Sequence, residues 1–399
     1  MFTQTADQDL LGNTTAQYLE ATYPPARVRE LARQDETFDG TLWKQGAEFG
    51  WTTPLVPEHA GGGSVSGNGL ADLLAVAFQF GRHAAPGPLI GTNVVAAALG
   101  RWGSAQLHGG PLAELLDGGA TAAWGHSPRT GRRAGAQVRA ERSGDRFILD
   151  GTVPCVERGG PNGYLLVAAG PDDTTTTTGG GSDGDGDGDG ARSHFLVPLG
   201  APGVETAPLD GVDLTRRYQT VTLRAVTVPA SARVGEPGTA DEHDAALLDL
   251  SAVLQAGEIV GATHRAFELT LRWAEDRYSF GRPLGSYQEI KHRVADLRTQ
   301  LEASAAVTER AARLVGTGRA DARTWATTAK AYVGRVGPEA IQDCIQLHGG
   351  IGVTYEHDLH LYLRRALVDA QLFGTPAYFT ERLVRLVEAA VDDDGGRAS

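Results

Sequence analysis

Apolar positions repeat at helical spacing at both ends of the chain and at strand spacing in its middle. In the first part Ala71, Leu74, Ala75 and Phe78 recur every three to four residues, the period of one helix face. Clusters at Pro54–Glu58, Gly61–Gly63 and Pro86–Pro88 punctuate the pattern as turns do. An N-terminal α-helical domain is predicted over 1–119. From about Thr121 the runs become short: Arg146–Val156 with a turn signal at Asp150-Gly151, Tyr164–Ala168, Phe195–Leu199 and Tyr218–Val228. In the last of these Val221, Leu223 and Ala225 alternate with Thr220, Thr222 and Arg224, so one face is apolar. A middle β domain over 120–232, a small antiparallel barrel or sandwich, is the expectation. After Asp241 the helical period returns. Leu250, Val253, Leu254, Val260, Phe267 and Leu271 mark one long helix, Ile290, Val294, Leu297, Leu301 and Ala305 a second, and Trp325, Ala329, Tyr332 and Val336 a third. Long helices with short connections pack antiparallel, so a C-terminal helical bundle is predicted over 233–399. The fold class is α+β, in several domains.

One segment breaks the pattern. Residues 171–192 hold five consecutive threonines followed by GGGSDGDGDGDG, with no apolar anchor, and read as a disordered insertion between two strands. Its matches to a GxSxG elbow, a calcium loop and GxGxxG lack the flanking strand and helix, or the closing acid, that those motifs need.

Composition narrows the partners. With 399 residues the chain exceeds one small core. A formal charge of −13 repels nucleic acid and anionic membranes in general, although a local basic cluster can still hold a phosphorylated ligand. Cys155 and Cys344 are the two cysteines, too far apart for a CxxC pair, so neither a disulfide framework nor a thiolate zinc site is expected. Glu356, His357 and His360 lack a third ligand, and no metal site is predicted. No leader pattern and no apolar run of membrane-spanning length is read, and a cytoplasmic location is expected.

The chemistry-bearing segments lie in the last third. Arg277-Tyr-Ser-Phe280-Gly281-Arg282-Pro-Leu-Gly-Ser-Tyr-Gln288 separates the first two long helices. By itself it reads as a helix end with a cation against the dipole and a Gly-Arg-Pro turn. Gln346-Leu-His348-Gly349-Gly350 reads as a helix-ending Gly-Gly, and Gly374-Thr375 comes later at fixed distance. In that order and spacing the three segments resemble the acyl-CoA dehydrogenase family. Leu42-Trp43, Phe49-Gly50-Trp51 and Val56-Pro57-Glu58-His59-Ala60-Gly61-Gly62 resemble its N-terminal landmarks.

The resemblance implies FAD as cofactor and an acyl-CoA or acyl-carrier thioester as substrate. It implies an electron-transfer flavoprotein or oxygen as acceptor, and a dimer or tetramer with flavin sites shared between subunits. Arg277, Phe280 and Gln288 would serve the adenosine diphosphate half of the flavin. Gln346, His348, Gly349 and Gly350 would bring bare backbone to its pyrophosphate, where a side chain would block approach. Gly374 and Thr375 would close the site. In the middle region Ser127 or Thr130 would replace a flavin-binding hydroxyl, with Arg129, Arg132 and Arg133 nearby.

The family's proton acceptor is missing. The glutamate before the closing Gly-Thr is Phe373, and the alternative position on the first long helix is Ser251. A phenyl ring accepts no proton. Asp249 is expected to face away from Ser251, and Glu258 lies about 10 Å along the helix axis. Three readings are open, in this order: a dehydrogenase with an unconventional base, a subunit that pairs with a glutamate-bearing paralogue, and a flavin monooxygenase on the same fold.

Overall fold

The computed structural model describes residues 2–35, 38–126, 137–170 and 192–397, with side chains described to residue 391. Of the insertion 171–192 all but Arg192, and Ser127, Arg129, Thr130, Arg132 and Arg133, lie outside the described residues.

Helices open the chain: α1 (Ala6–Thr22), α2 (Pro25–Leu31), α3 (Gly40–Glu48), α4 (Gly69–His83), α5 (Leu89–Trp102) and the short α6 (Ala105–Leu107) and α7 (Ala113–Leu116). Polar caps set their starts. Thr5 and Gln8 form a capping box on α1, Asp39 accepts from Thr41 and Leu42, and Asn68 accepts from Ala71 at the head of α4. Buried Asp72 then accepts from the Ser64 and Ser66 hydroxyls, the Val65 and Ser66 amides and Gln8, which fixes the loop before α4.

The middle region is two four-stranded sheets. One runs β1 (Thr121–Trp124), β4 (Gly163–Ala169), β5 (Ser193–Pro198), β8 (Arg233–Val234). The other runs β2 (Gln137–Ser143), β3 (Arg146–Glu157), β7 (Tyr218–Pro229), β6 (Val204–Leu209). Leu165, Val167, Phe195 and Val197 of the first meet Leu149, Val153, Val221 and Val226 of the second in their own core. Of barrel or sandwich the structure takes the sandwich: among the described residues the sheets do not close. Nor is it wholly antiparallel, because β1 pairs with β4 in parallel. The Asp150-Gly151 signal is also corrected. It marks a bulge within β3, where the register against β7 shifts and the Asp150 carboxylate accepts from the Ala225 amide at 2.7 Å.

The C-terminal helices are α8 (Ala240–Asp276), α9 (Gln288–Gly316), α10 (Ala322–His348), α11 (Leu359–Gln371) and α12 (Pro376–Arg397), with β9 (Tyr278–Ser279) and β10 (Arg282–Pro283) between α8 and α9. By length and composition α8 is apolar enough to cross a bilayer, against the sequence expectation, but 89% of that window is buried inside the fold. Its apolarity reflects contact on all sides. Small residues let α4 approach it: a Cβ on Gly81 would stand 1.9 Å from the Glu258 carbonyl, and one on Gly261 2.0 Å from that of Phe78. The two helical regions, far apart in sequence, thus share one continuous core.

Candidate active site

The segment between α8 and α9 is a tight hairpin. Ser279 pairs with Arg282, and Phe280 and Gly281 take the turn at φ 50 and 81, the left-handed pair that two-residue hairpins require. The Leu284 amide donates to the Arg277 carbonyl at 2.7 Å and the Tyr287 hydroxyl to the Ser279 carbonyl at 2.8 Å, while the Arg282 guanidinium lies 3.8 Å over the Tyr287 ring. Arg277 through Gln288 is therefore one rigid unit. It projects an apolar ring into solvent: Phe280 is 98% exposed. Arg277 reaches back over Trp273 at 5.7 Å, and Trp273 stacks on His348 at 5.2 Å. The end of α10 is thereby brought beside the hairpin. His348 is buried with Nδ1 on the Cys344 carbonyl, whereas Gln346, Gly349 and Gly350 are exposed. A Cβ on Gly349 or Gly350 would meet nothing within 4 Å, so bare backbone faces open space. His357 packs on His348 and His360 on Tyr355.

The second half of the site lies where α11 ends. Phe373 has φ 57 and Gly374 φ 129. The Thr375 hydroxyl accepts from the Tyr378 amide at 3.1 Å and starts α12. The Phe373 ring lies 5.0 Å from Trp124 at the end of β1, and Trp124 stacks on His126 at 4.3 Å. Ser251 is buried on α8 with its hydroxyl donating to the Leu248 carbonyl. One turn on, Gln255 donates to the carbonyl of Leu372, the residue before Phe373. The α8 turn that carries Ser251 and Gln255 is thus tied to the end of α11, just before Phe373.

The neighbouring carboxylates are committed elsewhere. Asp249 faces α12 and α10, with Arg382 at 2.8 Å and Arg323 at 3.3 Å. Glu258 is fully buried and paired with Arg216 at 2.8 Å. It belongs to a network between the β sandwich and the bundle. Arg216 also meets Glu157 at 3.3 Å and Asp369 at 3.7 Å, and Arg365 meets Asp213 at 2.5 Å and Glu258 at 3.8 Å. Burial pushes Glu157 up to about 7, against the pull of Arg216. Burial and then the nearby Glu258 carboxylate raise Asp369 well above the usual range. Burial acts on Asp213 too, yet Arg365 and Arg216 outweigh it and hold this acid below its usual value. Lys330, buried on α10, is pushed down to about 7 by burial, with Asp369 opposing.

Comparison with known proteins decides the family. The family model described as "Acyl-CoA dehydrogenase, N-terminal domain" matches residues 5–119, and "Acyl-CoA dehydrogenase, C-terminal domain" matches residues 244–387. The chain belongs to the acyl-CoA dehydrogenase family. Acyl-CoA dehydrogenase IpdE2 of Mycolicibacterium smegmatis is 29% identical over 379 residues, covering 94% of this chain and 97% of the relative. Acyl-CoA dehydrogenase FadE27 of Mycobacterium tuberculosis is 28% identical over 383 residues, 92% of each. Butyryl-CoA dehydrogenase from Megasphaera elsdenii shares the fold at TM-score 0.85 with 21% identity, over 97% of this chain and 99% of that one. The ChsE4-ChsE5 complex from Mycobacterium tuberculosis matches at TM-score 0.83 and 26% identity, over the same shares. This acyl-CoA dehydrogenase is accordingly a flavoprotein oxidoreductase of the three-part helical–β–helical fold.

FAD is the family's cofactor, and the hairpin edge fits it. An exposed guanidinium, an uncovered phenyl ring and side-chain-free backbone at Gly349–Gly350 are the donors and clearances that a diphosphate and an adenine need. Sequence reasoning missed Lys330, Gln255, Trp124 and the network of Arg216 and Arg365. Lys330 did carry a signal: it interrupts the apolar face of Ala326, Ala329 and Val333.

Proposed function

We propose that this chain is one subunit of a heteromeric acyl-CoA dehydrogenase. In this reading it lends Arg277, Phe280 and the Gly349–Gly350 backbone to a flavin shared with a partner that carries the catalytic glutamate. One observation carries the proposal: Arg277, Phe280 and the Gly349–Gly350 backbone face outward, while Phe373 lies against Trp124 and the two acids weighed as replacement bases, Asp249 and Glu258, are tied to arginine. Likeness to the ChsE4-ChsE5 complex, a structure of two different chains by its description, supports a paired assembly.

Desaturation of an acyl thioester removes an α-proton and a β-hydride, and bound FAD supplies the hydride acceptor. In this chain the Arg277 fork would pair with phosphate oxygens, and Phe280 would pack on the cofactor across the interface. The aromatic pair Trp124–Phe373 would keep water from its own surroundings and accept no proton.

The test is the visible spectrum of the chain purified alone and together with a glutamate-bearing paralogue, before and after anaerobic addition of mixed acyl-CoA thioesters. The pair is expected to be yellow and to bleach, and Arg277→Ala in this chain to strip its flavin. Bleaching of the chain alone would overturn the proposal in favour of an unconventional base. A lone chain that stays yellow, and turns over with reduced flavin and oxygen, would indicate a monooxygenase.

A further inference from the structure

Lys330 lies on the apolar face of α10 with Ala326, Ala329 and Val333, and none of its surface is exposed. A buried amino group must find acceptors for its hydrogens. It finds Gln255 Oε1 at 2.6 Å, the Leu372 carbonyl at 3.3 Å and the Asp369 carbonyl. Gln255 is itself oriented by this set, since its Nε2 donates to the same Leu372 carbonyl at 3.1 Å. Both carbonyls belong to the end of α11, where a helix has no partners of its own for them. A lysine from α10 and a glutamine from α8 therefore cap a third helix inside the core.

Directly after that cap the chain enters a strained turn. Phe373 takes the left-handed conformation at φ 57, costly for any side chain but glycine. Gly374 comes next at φ 129, and a Cβ there would meet Tyr378 at 2.7 Å and Phe379 at 2.9 Å. Such a backbone persists only where its surroundings over-determine it. We propose that Lys330 and Gln255 are positioning residues that hold this turn, and so fix where the side chain of residue 373 is set beside Trp124, whatever that side chain is. The bonds run to backbone carbonyls, so they do not depend on which residue stands at 373. A glutamate placed there would inherit a formed position. This inference rests on the reading of residue 373 as the family's base position.

The experiment is amide hydrogen exchange on the full chain, in its complex where the partner is needed for solubility, for Lys330→Met and for Gln255→Leu. The Leu372 amide, which donates to Val368, and the Gly374 amide, which donates to Gln371, are expected to exchange about ten-fold faster or more. Amides in the middle of α8 and α10 should keep their parent rates. Unchanged exchange at 372 and 374, or a rise shared equally by α8 and α10, would overturn the proposal and leave Lys330 as a general core residue. If Lys330→Met does not fold, Gln255→Leu alone decides. A second arm uses Phe373→Glu: once it desaturates thioesters, adding Gln255→Leu should lower kcat about ten-fold with KM and flavin content unchanged. Failure of Phe373→Glu to gain activity in a flavin-loaded complex would count against the reading of position 373, while the exchange rates would still judge Lys330 and Gln255.

Discussion

The hairpin edge and the surroundings of Phe373 are built in opposite ways. At the edge the chain presents Arg277 and Phe280 on the hairpin, and Gly349–Gly350 at the end of α10, outward. Around Phe373 it packs aromatic rings, and the buried acids Glu157, Glu258 and Asp369 join the β sandwich to the bundle. A surface offered to a neighbour is constrained by what that neighbour must bind. Side chains closed into the core are constrained by packing. The contrast predicts that mutations in the two regions separate stability from cofactor binding.

The largest effect is expected at Arg365→Met. It leaves Asp213 and Glu258 short of a cation in the core, and removing one partner of a buried pair costs about 3–5 kcal/mol; denaturant melts should show it directly. Arg277→Ala should do the reverse. It should change stability by about 0.5 kcal/mol or less, as exposed substitutions do, and yet lose flavin from the assembled enzyme. Equal stability losses at the two arginines would erase the contrast.

Acid–base linkage sharpens it further. Burial raises Glu157 from 4.5 to about 7, so the folded state binds the extra proton. The stabilisation from this group is complete below 4.5 and is lost as pH rises through about 7. Glu157→Gln should flatten that part of the stability profile, an effect of order 3 kcal/mol. Lys330 has the opposite sign: its pKa falls from 10.5 to about 7, so its contribution is full above 10.5 and fades as pH drops towards 7. A smaller loss of stability than at Arg365 is expected at Thr375→Ala, which removes the α12 cap at about 1 kcal/mol. Flavin content measured on the same variant separates the cap from any contact with the cofactor.

Periodicity alone placed the three long C-terminal helices and four of the strands, because burying one face of a helix or strand imposes its repeat on the sequence. It missed β1, β2, β6 and the two-residue β8, β9 and β10. β1 is only four residues long and buried throughout, and β6 is mostly exposed, so neither has a clear alternating face. Motif order and spacing pointed to the family and to the absent glutamate, since those depend on residue identity along the chain. The sequence could say that Phe373 and Ser251 carry no acid, but not what surrounds them. That was decided in three dimensions. Arg216 reaches Glu258 across 42 positions, Arg365 reaches Asp213 across 152, and Lys330 on α10 caps the far end of α11. No local pattern encodes such partners; only the closing of β sandwich, α8, α10 and α11 around one point brings their charges within reach.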